Sequence, residues 1–139
     1  MLGSFFFYIL KLVIFMYVFL NKNPFGLRIG DCVIRAIATA LDQTWERTYV
    51  DLCVEGYSMG DLPNSNATWG TYLINKGYKR HVIPDTCPAC YTIDQFAADH
   101  PQGTYIVATG THAVCVKDGN IYDTWNSGQE IPTYYFSKE

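Results

Sequence analysis

From Leu2 to Leu20 the chain is almost wholly apolar, broken only by Ser4 and Lys11. Beyond Asn21 the pattern divides into short periodic blocks. Val33, Ile34, Ile37, Ala38, Ala40 and Leu41 predict a helix over 32–41, with Asp31 as its N-cap and Arg35, Thr39 and Asp42 as its polar strip. A helix so apolar is expected to be central. Trp45, Tyr49, Leu52 and Cys53 recur at helical spacing and predict a second helix from Thr44, stopping at Gly56. A loop over 60–66 precedes a third helix, 67–76, with Gly77 at its C′ position. A strand over 78–83 ends at Pro84. The capping box Thr92-Ile93-Asp94-Gln95 opens a fourth helix, 93–100, ahead of Pro101. Strands follow over 104–109, 112–117, 120–125 and, less regularly, 131–136, with Asp118-Gly119 as a two-residue hairpin turn. Helices first and an antiparallel meander last make an α+β fold.

The apolar start admits three readings. Its 19 residues just suffice for a membrane-spanning helix, which Lys11 opposes by about 2.5–3.5 kcal/mol. A cleaved signal lacks its basic start and its small-residue cleavage site. Alternatively, Met16-Tyr17-Val18-Phe19-Leu20 forms a first strand, and residues 1–15 are an extension upstream of a domain over 16–139. A chain of 139 residues supports one core.

Net charge is −3 with scattered Lys and Arg, so no basic stripe calls for nucleic acid. Five cysteines form no paired framework, which suits a reducing, cytoplasmic setting; the alternative is anchorage through residues 2–20. No cofactor motif is present.

The specific chemistry lies in three residues. Cys32 stands where a turn, Gly30-Asp31, enters the first helix, facing its unpaired amides and positive dipole end. His112 opens a later strand, and Asp123 lies on the next. If Asp118-Gly119 is the hairpin loop, paired residues have numbers summing to about 237. One face then carries His112, Val114 and Val116 with Ile121, Asp123 and Trp125. Asp123 is the lone charge in that row, and His112 is the partner within diagonal reach. Parity sends Cys115 to the opposite face. It also sends Asn126 there, leaving that residue a fallback third member if a bulge shifts the register. The plain alternatives are a buried core cysteine and a strand histidine satisfied by Asp123.

Cys87-Pro88-Ala89-Cys90 supplies half of a zinc site whose other ligands would come from His81, Cys53 or His100. It also fits a redox pair or, most simply, a tight turn with two bystander thiols; His100 reads as solvated.

From Tyr17 to about Phe136 the chain resembles small papain-like cysteine peptidase domains of the bacteriocin-processing type, found in phages, prophages and Firmicutes. Gly30-Asp31-Cys32, Thr111-His112-Ala113-Val114 and Tyr122-Asp123-Thr124-Trp125 carry the resemblance. It implies Cys32 as nucleophile, His112 as base and then acid, Asp123 as orienter, and an acyl-thioester intermediate on a peptide or protein substrate. The family's oxyanion glutamine falls on Gly26 here, so Asn23 or Asn21 from the same loop is the expected donor. A non-catalytic module of the same fold and an acyl transferase with the same triad are the other expectations.

Overall fold

The computed structural model describes residues 16–138. The reading of 1–15 as an extension or membrane segment therefore lies outside the described residues. The end of the apolar run, Tyr17–Phe19, is strand β1, and among the described residues no helix is long and apolar enough to cross a membrane.

The described residues form four helices and one six-stranded sheet that includes β1. The helices are α1 (Cys32–Ala40), α2 (Trp45–Met59), α3 (Asn66–Asn75) and α4 (Ile93–Asp99). The remaining strands are β2 (Tyr78–Val82), β3 (Thr104–Ala108), β4 (Ala113–Lys117), β5 (Asn120–Asp123) and β6 (Tyr134–Lys138). The α+β reading stands in this form: the sheet is antiparallel throughout except where β1 pairs in parallel with β5.

The strand order is β1-β5-β4-β3-β6-β2. Only β3, β4 and β5 form a simple meander. The expected fourth meander strand instead crosses back to pair with β3 and β2, and it starts at Tyr134 rather than Ile131. Pro132, which has no N–H to give a ladder, lies in the segment that stays out of the sheet. The Asp118-Gly119 turn has positive φ at both residues, 50° and 78°, as a tight hairpin requires. Its register pairs Cys115 with Tyr122 and Val116 with Ile121, both summing to 237.

Each sheet face has its own apolar layer. Ala36 and Ile37 of α1, Leu52 of α2, and Trp69 and Leu73 of α3 pack with Ile106, Ala113 and Phe136. On the other face, Ile93, Phe96 and Ala97 of α4 cover Val107, Val114, Val116 and Ile121. The predicted capping box at Thr92 and Gln95 is formed at the start of α4. His100 is not simply solvated: its ring stacks on Phe96 at 3.8 Å, and Nδ1 lies 2.7 Å from the Phe96 carbonyl.

Gly56 does not stop α2, which runs on to Met59 and ends with Gly60 at φ 70°. Its role is close approach. A Cβ at Gly56 would lie 2.7 Å from the Asp61 carbonyl oxygen and 3.1 Å from Pro63 N. The missing side chain lets the 61–64 loop fold down onto the helix, where Asp61 N donates to Gly56 O at 2.8 Å. Gly56→Ala should therefore destabilise the protein by about 1–3 kcal/mol through overpacking, despite alanine's better helix propensity. Urea unfolding checks the sign; an unchanged or raised midpoint would contradict this packing role.

Candidate active site

Cys32 is the first residue of α1, and its placement depends on the loop before it. Within that loop Asn21 Oδ1 accepts from Asn23 N at 3.0 Å, and Asn23 Oδ1 accepts from Phe25 N at 2.9 Å. Gly26, at φ 66°, closes a turn onto Asn23 O. Leu20 N donates to Asp123 O at 3.0 Å, tying the base of the loop to β5.

Asp31 occupies the N-cap position, but its side chain makes no capping bond. It is buried and takes three side-chain donors instead: Arg35 Nε at 2.8 Å, Trp45 Nε1 at 2.9 Å and Asn23 Nδ2 at 3.4 Å. These partners satisfy the buried carboxylate and leave the first-turn amides of α1 beside Cys32 uncapped by it.

His112 stands at the end of the turn that joins β3 to β4, one residue before the strand. Its backbone N–H donates to Thr109 Oγ1 at 3.0 Å, and its carbonyl accepts from Thr109 N at 2.8 Å. The ring packs on Trp125 with centroids 5.1 Å apart. Nε2 lies 2.7 Å from Asp123 Oδ2, so the ring's interaction with Cys32 falls to Nδ1. Cys32, His112 and Asp123 thus come together as one chain of contacts.

Asp123 is only 1% exposed. Its Oδ2 also accepts from Ser127 Oγ at 2.7 Å, and its Oδ1 accepts from Thr124 N and from Arg35 Nη1, both at 2.8 Å. Arg35, 8% exposed, is clamped between Asp123 and Asp31 and joins the loop before Cys32 to the carboxylate that holds His112. Among the described residues every buried side-chain nitrogen and oxygen has a hydrogen-bond partner.

These contacts set the protonation states. Burial raises the Cys32 thiol, but hydrogen bonds from His112 and the Ala113 backbone, with the nearby positive charges of His112 and Arg35, hold it below the usual thiol value. Burial acts against the His112 cation, yet the bonds to Asp123 and Cys32 push it up to about 9. Burial likewise raises Asp123, and His112, Ser127 and Arg35 together bring it below the usual carboxylate value. Each charge favours the other, so the Cys32 thiolate and the His112 imidazolium titrate as a coupled pair. Cys115, fully buried in the middle of β4, is pushed up to about 12 by its burial and stays a thiol.

A cleft of about 220 Å³ opens over Cys32, lined by Gly30, Asn64, Asn66, Trp69, Gly110 and His112 among others. Neither expected amide donor lines it: Asn21 Nδ2 donates to Leu27 O at 3.1 Å, and Asn23 Nδ2 is turned to Asp31. The asparagines in the cleft are Asn64 and Asn66. Asn66 Oδ1 accepts from Trp69 Nε1 at 3.1 Å, which reserves its amide nitrogen as the donor end. Asn126 makes no bond to His112; it is exposed, and its Oδ1 accepts from Gly128 N at 3.1 Å.

Comparison with protein-family models, with curated proteins and with solved structures found no match. The local chemistry therefore carries the functional argument. Cys87 and Cys90 are joined in a disulfide in an exposed turn, which corrects the reading of two bystander thiols and removes them as zinc ligands. His81 lies away from them, on β2, with Nε2 2.7 Å from Ser137 Oγ. Among the described residues no group of three or more His, Cys, Asp or Glu side chains is placed to hold a metal ion.

Proposed function

We propose that the protein is a papain-like thiol hydrolase acting on peptide or isopeptide bonds through Cys32, His112 and Asp123. The observation that carries this reading is the contact of an acidified Cys32 thiol, at a helix start, with a histidine whose other nitrogen is held by a buried carboxylate.

The Cys32 thiolate attacks the carbonyl carbon, and the carbonyl oxygen takes the displaced electron pair. The Cys32 amide, together with Asn66 at the start of α3 or Asn64 just before it, all lining the cleft, is the donor set for that oxygen. The His112 imidazolium passes its Nδ1 proton to the leaving nitrogen as the C–N bond breaks, giving an acyl-thioester and a free amine. Neutral His112 then takes a proton from water, whose oxygen attacks the thioester. Collapse releases the acid and restores the thiolate–imidazolium pair. Asp123 keeps the ring oriented throughout, and Ser127 and Arg35 keep Asp123 oriented. An amine in place of water would give acyl transfer by the same residues.

A thiol-reactive probe should label Cys32 selectively in the folded protein, ahead of buried Cys115 and half-buried Cys53. The rate should fall at least tenfold in His112→Ala. Labelling that is equal across the free cysteines and indifferent to His112 would overturn the assignment.

A further inference from the structure

A second cleft, of about 240 Å³, adjoins the one over Cys32. Its walls are Ile29 before α1, Ile34 of α1, Tyr49, Leu52 and Cys53 of α2, and Pro63 of the loop that follows α2. Leu52 is buried, whereas Ile29 and Tyr49 are about half exposed, so the depression is apolar in depth and open at its rim. The one charged residue in its wall, Asp31, is paired with Arg35 and hydrogen-bonded to Trp45. The cleft therefore offers no unpaired charge to a ligand, and a charged group entering it would lose water without compensation.

The two clefts share Gly30 and Asn64. Gly30 has a φ outside the left-handed range, and a Cβ built on it would meet nothing within 4 Å. Neither backbone conformation nor packing requires glycine there. What a side chain would occupy is open space beside the two clefts, where a ligand backbone can approach closely. Gly110, in the first cleft, is equally free of neighbours, so an open glycine precedes both Cys32 and His112.

We infer that the second cleft is the specificity pocket of the proposed peptidase. It takes a bulky apolar side chain, of the leucine or phenylalanine class, from the residue bearing the attacked carbonyl, while the extended backbone passes over Gly30. This rests on the function proposed above and adds to it the class of substrate. Asn64, common to both clefts, stands beside that backbone. The loop that brings Asn64 and Pro63 into place is the one that folds against Gly56.

The test compares three reagents on Cys32, with labelling sites mapped by mass spectrometry: iodoacetamide, and two peptidyl electrophiles differing only in glycine or leucine at the reactive residue. The leucine reagent should react about 10-fold faster than the glycine reagent or more. Normalised to each variant's own iodoacetamide rate, that preference should collapse in Gly30→Val, which blocks the passage. It should also collapse in Cys53→Phe, which fills the pocket. Equal rates for the two reagents, or a preference that survives both substitutions, would overturn the pocket assignment. Failure of the underlying reading looks different: iodoacetamide itself would not single out Cys32, or would be indifferent to His112→Ala.

Discussion

Arg35→Met should cost about 3–5 kcal/mol of stability, the penalty for removing one partner from a buried charge cluster. Arg35 donates to both Asp31 and Asp123 at 2.8 Å, and all three side chains are nearly inaccessible. The methionine fills much of the same volume, so the loss is electrostatic: two buried carboxylates are left without their shared cation. Asp31 would keep Trp45 and Asn23, and Asp123 would keep His112, Ser127 and Thr124. The fold should therefore survive in weakened form. Arg35→Lys keeps the charge without the two-pronged fork and should fall between the two. Urea unfolding measures the series, and a loss below about 1 kcal/mol for Arg35→Met would show that the cluster is not held together as described. Cys32 labelling should slow as well, since the carboxylate that orients His112 loses one of its anchors.

Asp123→Asn should lower the rate of Cys32 chemistry by about 10²–10⁴-fold. The amide matches the carboxylate in shape but not in charge, and the carboxylate is one of the groups that push His112 up to about 9. In the native protein activity should rise as Cys32 ionises and fall as His112 loses its proton near 9, giving a bell-shaped profile. In Asp123→Asn the alkaline limb should move well below 9, because the neutral imidazole is no longer disfavoured. An alkaline limb that stays near 9 would show that another group holds the imidazolium. Stability has its own sign. His112 sits above its ordinary value of 6.5, so its contribution is complete below that pH and is lost as pH rises through about 9. Asp123 sits below its ordinary 3.8, so its contribution is present above that pH and is lost as the solution is acidified through the lower folded value.

The hairpin was legible in the sequence because one local signal controls it. Asp118-Gly119 has a single compatible turn geometry, which fixes the register of β4 against β5 and with it the meeting of His112 and Asp123. The surroundings of those residues were not legible in the same way. Helical periodicity placed Arg35 on a polar strip, although it is buried, because its partners lie on β5 and in the loop before α1. The capping rule aimed Asp31 at local amides, whereas Arg35, Trp45 and Asn23 compete for it in the folded chain. Asn21 and Asn23 were favoured by nearness in sequence to Cys32, but their side chains stitch their own loop. Asn64 and Asn66 are more than thirty residues from Cys32, and their approach depends on how the 61–64 loop settles on Gly56, a contact no periodicity encodes. Ser127 gave no sequence signal at all: a small hydroxyl residue four positions after an aspartate is unremarkable until the turn between them folds.

The place of β6 in the sheet bears on the order in which the fold around the site is completed. The strand lies between β3 and β2, not at a border, and Thr133, just before it, donates to Ala108 O at 2.9 Å at the end of β3 that leads into the histidine turn. Cys32, His112 and Asp123 all precede Tyr134–Lys138 in the chain. Until that last segment is free to slot in, β3 lacks one neighbour and Trp69 lacks its packing against Tyr134 and Phe136. The turn that carries His112 is thus braced by a backbone segment that follows all three site residues in the chain, so the sheet and the site are completed together.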